Sequence, residues 1–154
     1  MPNKLLISSC LLGQAVRYDG KSKAIPDIEW LVSLQEKGLL YPICPEVSGG
    51  LPVPRPAAEI QRERVITTTG LDVTGAFKKG AESALTVCQK ENIKFALLKA
   101  NSPSCGNRQI YDGSYSGTLA VGQGITAQLL SEHGIKVFSE LEVNALKNEL
   151  MLNQ

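Results

Sequence analysis

The stretch KLLISSC at residues 4–10 is a short apolar run that ends on a cysteine, and the arrangement returns in LLYPIC at 39–44 and FALLKANSPSC at 95–105. Short apolar runs bounded by polar turns read as strands buried in a parallel sheet. Neighbouring parallel strands present their carboxyl ends along one edge, and open α/β sheets bind ligands outside that edge. Cys10, Cys44 and Cys105 are therefore expected to meet at one site. Three thiols with no fourth partner imply a metal centre with one open position.

Working outward, the chain alternates strands with helices. IPDIEWLVSLQEKG (25–38) predicts a helix over about 26–37, with Pro26 and Asp27 at its start, Gly38 at its end, and Ile28, Leu31, Val32 and Leu34 at helical spacing. The loop CPEVSGGLPVPRP (44–56) holds four prolines and two glycines, which exclude regular structure and predict an ordered excursion over the sheet edge. AEIQRERVITTTGLDVT predicts a short extended pair, after which Asp72 or Thr74 caps a long helix from about 74 to 91. KFALLKA is the next strand, NRQIYDGSYSGT reads as irregular, and GQGITAQLLSEHG, IKVFS and ELEVNALKNELML read as helix, strand and final helix. Repeated β-α-β order demands a mostly parallel sheet with helices on both faces. The expected fold is one three-layer α/β/α domain over 1–154, Rossmann-like, with the cysteines at the carboxyl edge of its strands.

Composition narrows the partners. With 154 residues and 43% hydrophobic content the chain has enough apolar material for one real core. Sixteen basic against fifteen acidic residues leave a formal charge of +1, too little for a broad field that would hold nucleic acid or an anionic membrane. A small ligand or a local partner is expected. The apolar part of MPNKLLISSCLLG is too short to span a bilayer and lacks a cleavage pattern, so the expected location is the cytoplasm. In that reducing compartment four cysteines read as metal or catalytic thiols, not as disulfides.

Cys88 stands apart, in ALTVCQKEN on one helix face with Ala81 and Leu85, where core packing is the expected role. His133 precedes Gly134 at a helix end, a capping position. Three thiolates suit zinc with a water, and equally a cubane cluster held through three of its irons. Beside them, Glu46 in CPE and the hydroxyls of Ser102 and Ser104 in SPSCG are placed for proton chemistry, although a loop carboxylate and Ser-Pro turns also have purely structural uses. Arg17, in the turn RYDG, can anchor a carbonyl-bearing or anionic ligand near Cys10, or form a surface ion pair. GQGITA is read as the start of a helix with weak phosphate-binding potential.

SSCLLG, RYDG, CPEVSGGLPVPRPAAEI, GLDVTGAF, LLKANSPSCG, IYDGSYSG and GITAQLLSEHGIKVFSE together resemble the thiouracil desulfidase family, over nearly all of residues 4–140. The resemblance implies a bacterial 4Fe-4S enzyme that removes sulfur from thiouracil-type nucleobases, with Cys10, Cys44 and Cys105 as ligands and one iron open to substrate. It implies that the thiocarbonyl sulfur binds this iron, that water replaces sulfur at the ring carbon, and that sulfide leaves without a net redox step. By the same carry-over Glu46 is the acid/base for the water and Ser102 assists proton transfer or positions the substrate, while Arg17 and Ser104 are the residues expected to bind substrate. The implied partner is a small thiolated nucleobase, with neither nucleic acid as primary partner nor a membrane. Val16 stands where the resemblance leads one to expect a cysteine, a departure that leaves the three-cysteine scheme intact. A reading of another class is a non-catalytic iron-sulfur or zinc module, a sensor or sulfur carrier, which needs an exposed contact surface more than a formed pocket.

Overall fold

The computed structural model describes residues 3–13, 17–21, 25 and 28–152. Along the chain the elements are β1 (Leu5–Ser8), a 3-10 turn (Ser9–Leu12), α1 (Glu29–Glu36), β2 (Leu40–Ile43), α2 (Pro45–Ser48), β3 (Ala58–Gln61), β4 (Arg64–Thr67) and α3 (Thr74–Glu91). They continue with β5 (Phe95–Leu98), β6 (Gln109–Tyr111), β7 (Leu119–Val121), α4 (Ile125–Glu132), β8 (Lys136–Ser139), a 3-10 turn (Glu140–Glu142) and α5 (Val143–Leu152).

Four strands form a parallel sheet in the order β2-β1-β5-β8. The two central strands, LLIS and FALL, are buried at every residue, as their unbroken apolar runs require. Their side chains alternate between two cores. Leu6, Ala96 and Leu98 meet α3 and α4 through Ala84, Cys88, Ala127 and Leu130. Leu5, Ile7, Phe95 and Leu97 meet α1 and α5 through Leu31, Leu146 and Leu150. This is the expected three-layer α/β/α arrangement. From β1 the chain moves to β2 on one flank, then returns across to β5 on the other, which makes the β1/β5 boundary the switch point where ligands bind in such sheets.

The structure departs from the sequence expectations in four places. The proline-rich loop contains a helical turn, α2, because Pro45 occupies the first helical position, where its missing N–H and fixed φ are harmless. The segment read as irregular holds most of a second antiparallel hairpin, β6–β7, whose three-residue strands are too short and too exposed to show a period. In α1 only Leu31 is fully buried, while Ile28 and Val32 are exposed; Pro26 and Asp27 lie outside the described residues. At the start of α3 the N-cap position belongs to Val73, but Asp72 supplies the cap chemistry, accepting the backbone N–H of Thr74 at 2.9 Å and its hydroxyl at 2.6 Å. The extended pair appears as the hairpin β3–β4.

Candidate active site

Each expected cysteine follows its strand. Cys10 sits in the 3-10 turn after β1, Cys44 at the N-cap of α2 after β2, and Cys105 in the turn beyond β5. All three line one cavity of about 480 Å³ at the carboxyl edge of the sheet. Cys10 belongs to the core on the α1/α5 side and Cys105 to that on the α3/α4 side, so the thiols reach the cavity from both faces. All four cysteines are free.

Two backbone contacts hold these loops. A Cβ on Gly80 of α3 would stand 1.9 Å from the carbonyl oxygen of Pro45, and one on Gly49 would stand 2.0 Å from that of Ala76, so α2 is pressed onto α3 where only glycine fits. Gly124, just before α4, lies against the Ser104–Cys105 peptide in the same way, its Cβ position 2.5 Å from the Ser104 carbonyl. The first N–H groups of α4 are already taken, Ile125 by the Pro103 carbonyl at 2.9 Å and Thr126 by the Ser104 carbonyl at 2.8 Å. GQGITA thus anchors the Cys105 turn, and the phosphate-binding reading of it does not hold.

Burial pushes the Cys10 thiol up to about 11, with Cys44 adding to the rise and Lys99 and Arg17 opposing it. Cys105 is pushed up to about 12, again first by burial, with a hydrogen bond from Ser8 opposing and Glu46 and Cys44 adding. The Cys44 thiol is raised by burial, while the backbone N–H of Val47 works against the rise. The influence of Cys44 on both other thiols reflects a shared space. Among the described residues no three His, Cys, Asp or Glu side chains are gathered tightly enough to grip a single ion. Three soft donors on the walls of one larger cavity fit the donor chemistry of an iron-sulfur cluster.

Arg17, Glu46, Arg55 and Lys99 line the cavity, each beside a group of opposite charge. Glu46 receives Arg55 Nε and Nη2 on the same oxygen, Oε2, both at 2.7 Å. Lys99 Nζ meets Glu140 Oε2 at 2.8 Å, and the other oxygen of that carboxylate accepts the N–H of Ala100 at 2.6 Å. Arg17 lines the cavity and pairs loosely with Asp19 at 3.8 Å. Ser102 also lines it, and its Oγ accepts the N–H groups of Ser104 and Cys105 at 3.0 and 3.1 Å. With two donors on its oxygen, the Ser102 hydroxyl is left to donate. Ser104, expected to contact substrate, is fully buried, is absent from the lining, and shares a 2.7 Å hydrogen bond with the hydroxyl of Thr126.

Sequence reasoning missed Arg55, Lys99 and Ser8. Ser8 Oγ accepts the N–H of Lys99 at 3.0 Å and donates to Cys105 Sγ at 3.6 Å. The available signal was position: Ser8 ends the strand just before Cys10, Lys99 opens the loop that leads to Cys105, and Arg55 is the lone cation in the proline-rich loop. Cys88 packs inside α3, 1% exposed, and His133 Nδ1 lies 2.9 Å from the Leu129 carbonyl at the end of α4, both as expected. Val16 lies outside the described residues, and no described helix is long and apolar enough to cross a membrane.

Comparison with known proteins adds relatives. The family described as 2-thiouracil desulfurase matches residues 5–142. Protein YbbK of Bacillus subtilis (strain 168) is 39% identical over 150 residues, which cover 91% of this chain and 97% of that protein. A solved structure, described as the 4Fe-4S-dependent thiouracil desulfidase TudS, is 52% identical and superposes with a TM-score of 0.94 over 97% of this chain and 99% of its own. With its three strand-end cysteines around one cavity and its match over residues 5–142, the chain belongs to the 2-thiouracil desulfurase family.

Proposed function

We propose that this protein is a 4Fe-4S-dependent desulfidase of thiouracil-type nucleobases, converting a ring thiocarbonyl and water into a carbonyl and hydrogen sulfide. The observation that carries the reading is the convergence of Cys10, Cys44, Cys105, Glu46 and Ser102 on one formed cavity. Cys10, Cys44 and Cys105 would hold the cluster, which would supply Lewis-acid chemistry toward the substrate sulfur. Glu46 accepts a proton from the attacking water, and Ser102, limited to donating, gives a hydrogen bond to the bound ring. Carbon exchanges a C=S bond for C=O at constant oxidation state, and the two protons of water end on the departing sulfur, so no electron donor is needed. Arg17, a residue of the cavity lining, is assigned to bind a ring carbonyl of the substrate.

The formed cavity, walled by Leu51, Pro52, Arg55 and Pro56 of the stiff loop, favours turnover of a small molecule over a sensor or sulfur-carrier role. Its setting is the cytoplasm, where reduced thiols are available to the cluster. Protein purified without oxygen and reconstituted with iron and sulfide is expected to show cluster absorption that Cys105→Ala loses, and to release sulfide from 2-thiouracil. Glu46→Gln is expected to keep the absorption and abolish the release. A reconstituted protein that binds 2-thiouracil without releasing sulfide would place the module reading ahead.

A further inference from the structure

We propose that Arg55 is the positioning residue for Glu46, orienting the carboxylate so that one oxygen is presented to the attacking water; this rests on the reading of Glu46 as the acid/base. The Arg55 side chain is 5% exposed and that of Glu46 16%. Both contacts, from Nε and Nη2, fall on Oε2, while Nη1 donates to the Pro52 carbonyl at 3.1 Å. Oε1 has no partner among the described residues, which makes it the oxygen available to the cavity that Glu46 lines. The backbone N–H of Arg55 donates to the Tyr18 carbonyl at 2.7 Å, fastening the proline-rich loop to the RYDG turn.

The residue type is informative. A carboxylate on a one-turn helix swings about several bonds, and a planar fork anchored at three nitrogens restricts it far more than a lysine does. Arg55 is fixed on both sides of its guanidinium, by Glu46 and by Pro52, so its orientation is set by the loop before any substrate arrives. Preorganisation of this kind appears in kcat, because it places a reacting group without adding contacts to the bound substrate.

The test uses the reconstituted holoenzyme with 2-thiouracil as substrate, reading iron content and cluster absorption before kinetics. Arg55→Ala is expected to keep its iron, to lose about 100-fold in kcat, and to change KM by less than about threefold. Added guanidinium is expected to restore part of the kcat of Arg55→Ala, with no effect on Glu46→Gln. Should Arg55→Ala fail to fold, Arg55→Lys carries the test, with iron retained and kcat still reduced. Parent kcat in either Arg55 variant overturns the proposal, as does a loss that tracks lowered iron or that guanidinium leaves unchanged. Parent turnover in Glu46→Gln overturns the underlying reading of Glu46, an outcome separate from any result at Arg55.

Discussion

Ser102 and Ser104 are two residues apart in SPSCG, yet their environments assign them opposite work. Ser102 lines the cavity and its Oγ tethers the Cys105 turn through two backbone N–H groups, whereas Ser104 is buried against Thr126. Ser104→Ala leaves the buried Thr126 hydroxyl without its partner and is expected to cost about 1–3 kcal/mol in denaturant unfolding, with KM for 2-thiouracil unchanged. A raised KM at intact stability would return Ser104 to the substrate contacts. Ser102→Ala removes both turn acceptor and donor, and is expected to lower iron retention as well as kcat. A sequence presents these serines as equivalent, because nothing local says which hydroxyl the turn directs inward. The cysteines were legible for a different reason: each ends an apolar run, and strand direction alone carries the residue after it to the carboxyl edge.

Among the elements, α2 is the one the sequence concealed and the site most depends on. Its four residues carry Glu46, its N-cap is Cys44, and its seat on α3 is set by the close approach of Gly49 and Gly80. Gly80→Ala would drive a methyl group into the Pro45 carbonyl, so α2 must move outward and take Cys44 and Glu46 with it. The expected result is a loss of about 1–3 kcal/mol and lower iron per chain after reconstitution, read by thermal melting and iron analysis. Normal iron content would mean that the α2–α3 contact does not hold Cys44 in place. A second tie runs from the turn after β8. Glu142 accepts from Asn107 Nδ2 at 2.7 Å and from the N–H of Ser139 at 3.1 Å, and pairs with Arg108 at 2.7 Å. Although burial pushes its carboxyl up, these hydrogen bonds and Arg108 prevail and hold it below the usual carboxylate range. A depressed folded value contributes stability that is present above the unfolded pKa, about 4.3, and is lost as pH falls through the folded value. Acid titration is expected to show a steeper fall below about pH 4 in the parent than in Glu142→Gln. The long helix α3 and the central strands were legible because 18 residues, or an unbroken apolar run, carry their own period. The hairpin β6–β7 was not, since three-residue strands lying largely in solvent need no alternation.

For the molecule as a whole, burial weighs on thiols both at the carboxyl edge of the sheet and inside α3. Burial raises the thiols of Cys10 and Cys88 to about 11 and Cys105 to about 12. A thiol raised on folding contributes stability that is complete below its unfolded pKa, roughly 8.5, and is lost as pH rises through the folded value. Cluster-free protein is therefore expected to melt at progressively lower temperature from about pH 8.5 upward, while the iron-loaded form, its ligand thiols already deprotonated, falls less. Parallel declines for the two forms would separate the alkaline loss from the three site cysteines. By itself the sequence determined the α/β class, the parallel sheet with helices on both faces, and the gathering of three thiols at its carboxyl edge. These follow from periodicity and strand direction, which are local. Only the tertiary structure decided that Arg55 grips Glu46, that Lys99 pairs with Glu140, that Ser8 reaches Cys105, and that α4 donates its first N–H groups to the cysteine loop. Each of these contacts joins segments whose spacing along the chain carries no period, and their distances are set by how loops pack across the switch point of the sheet.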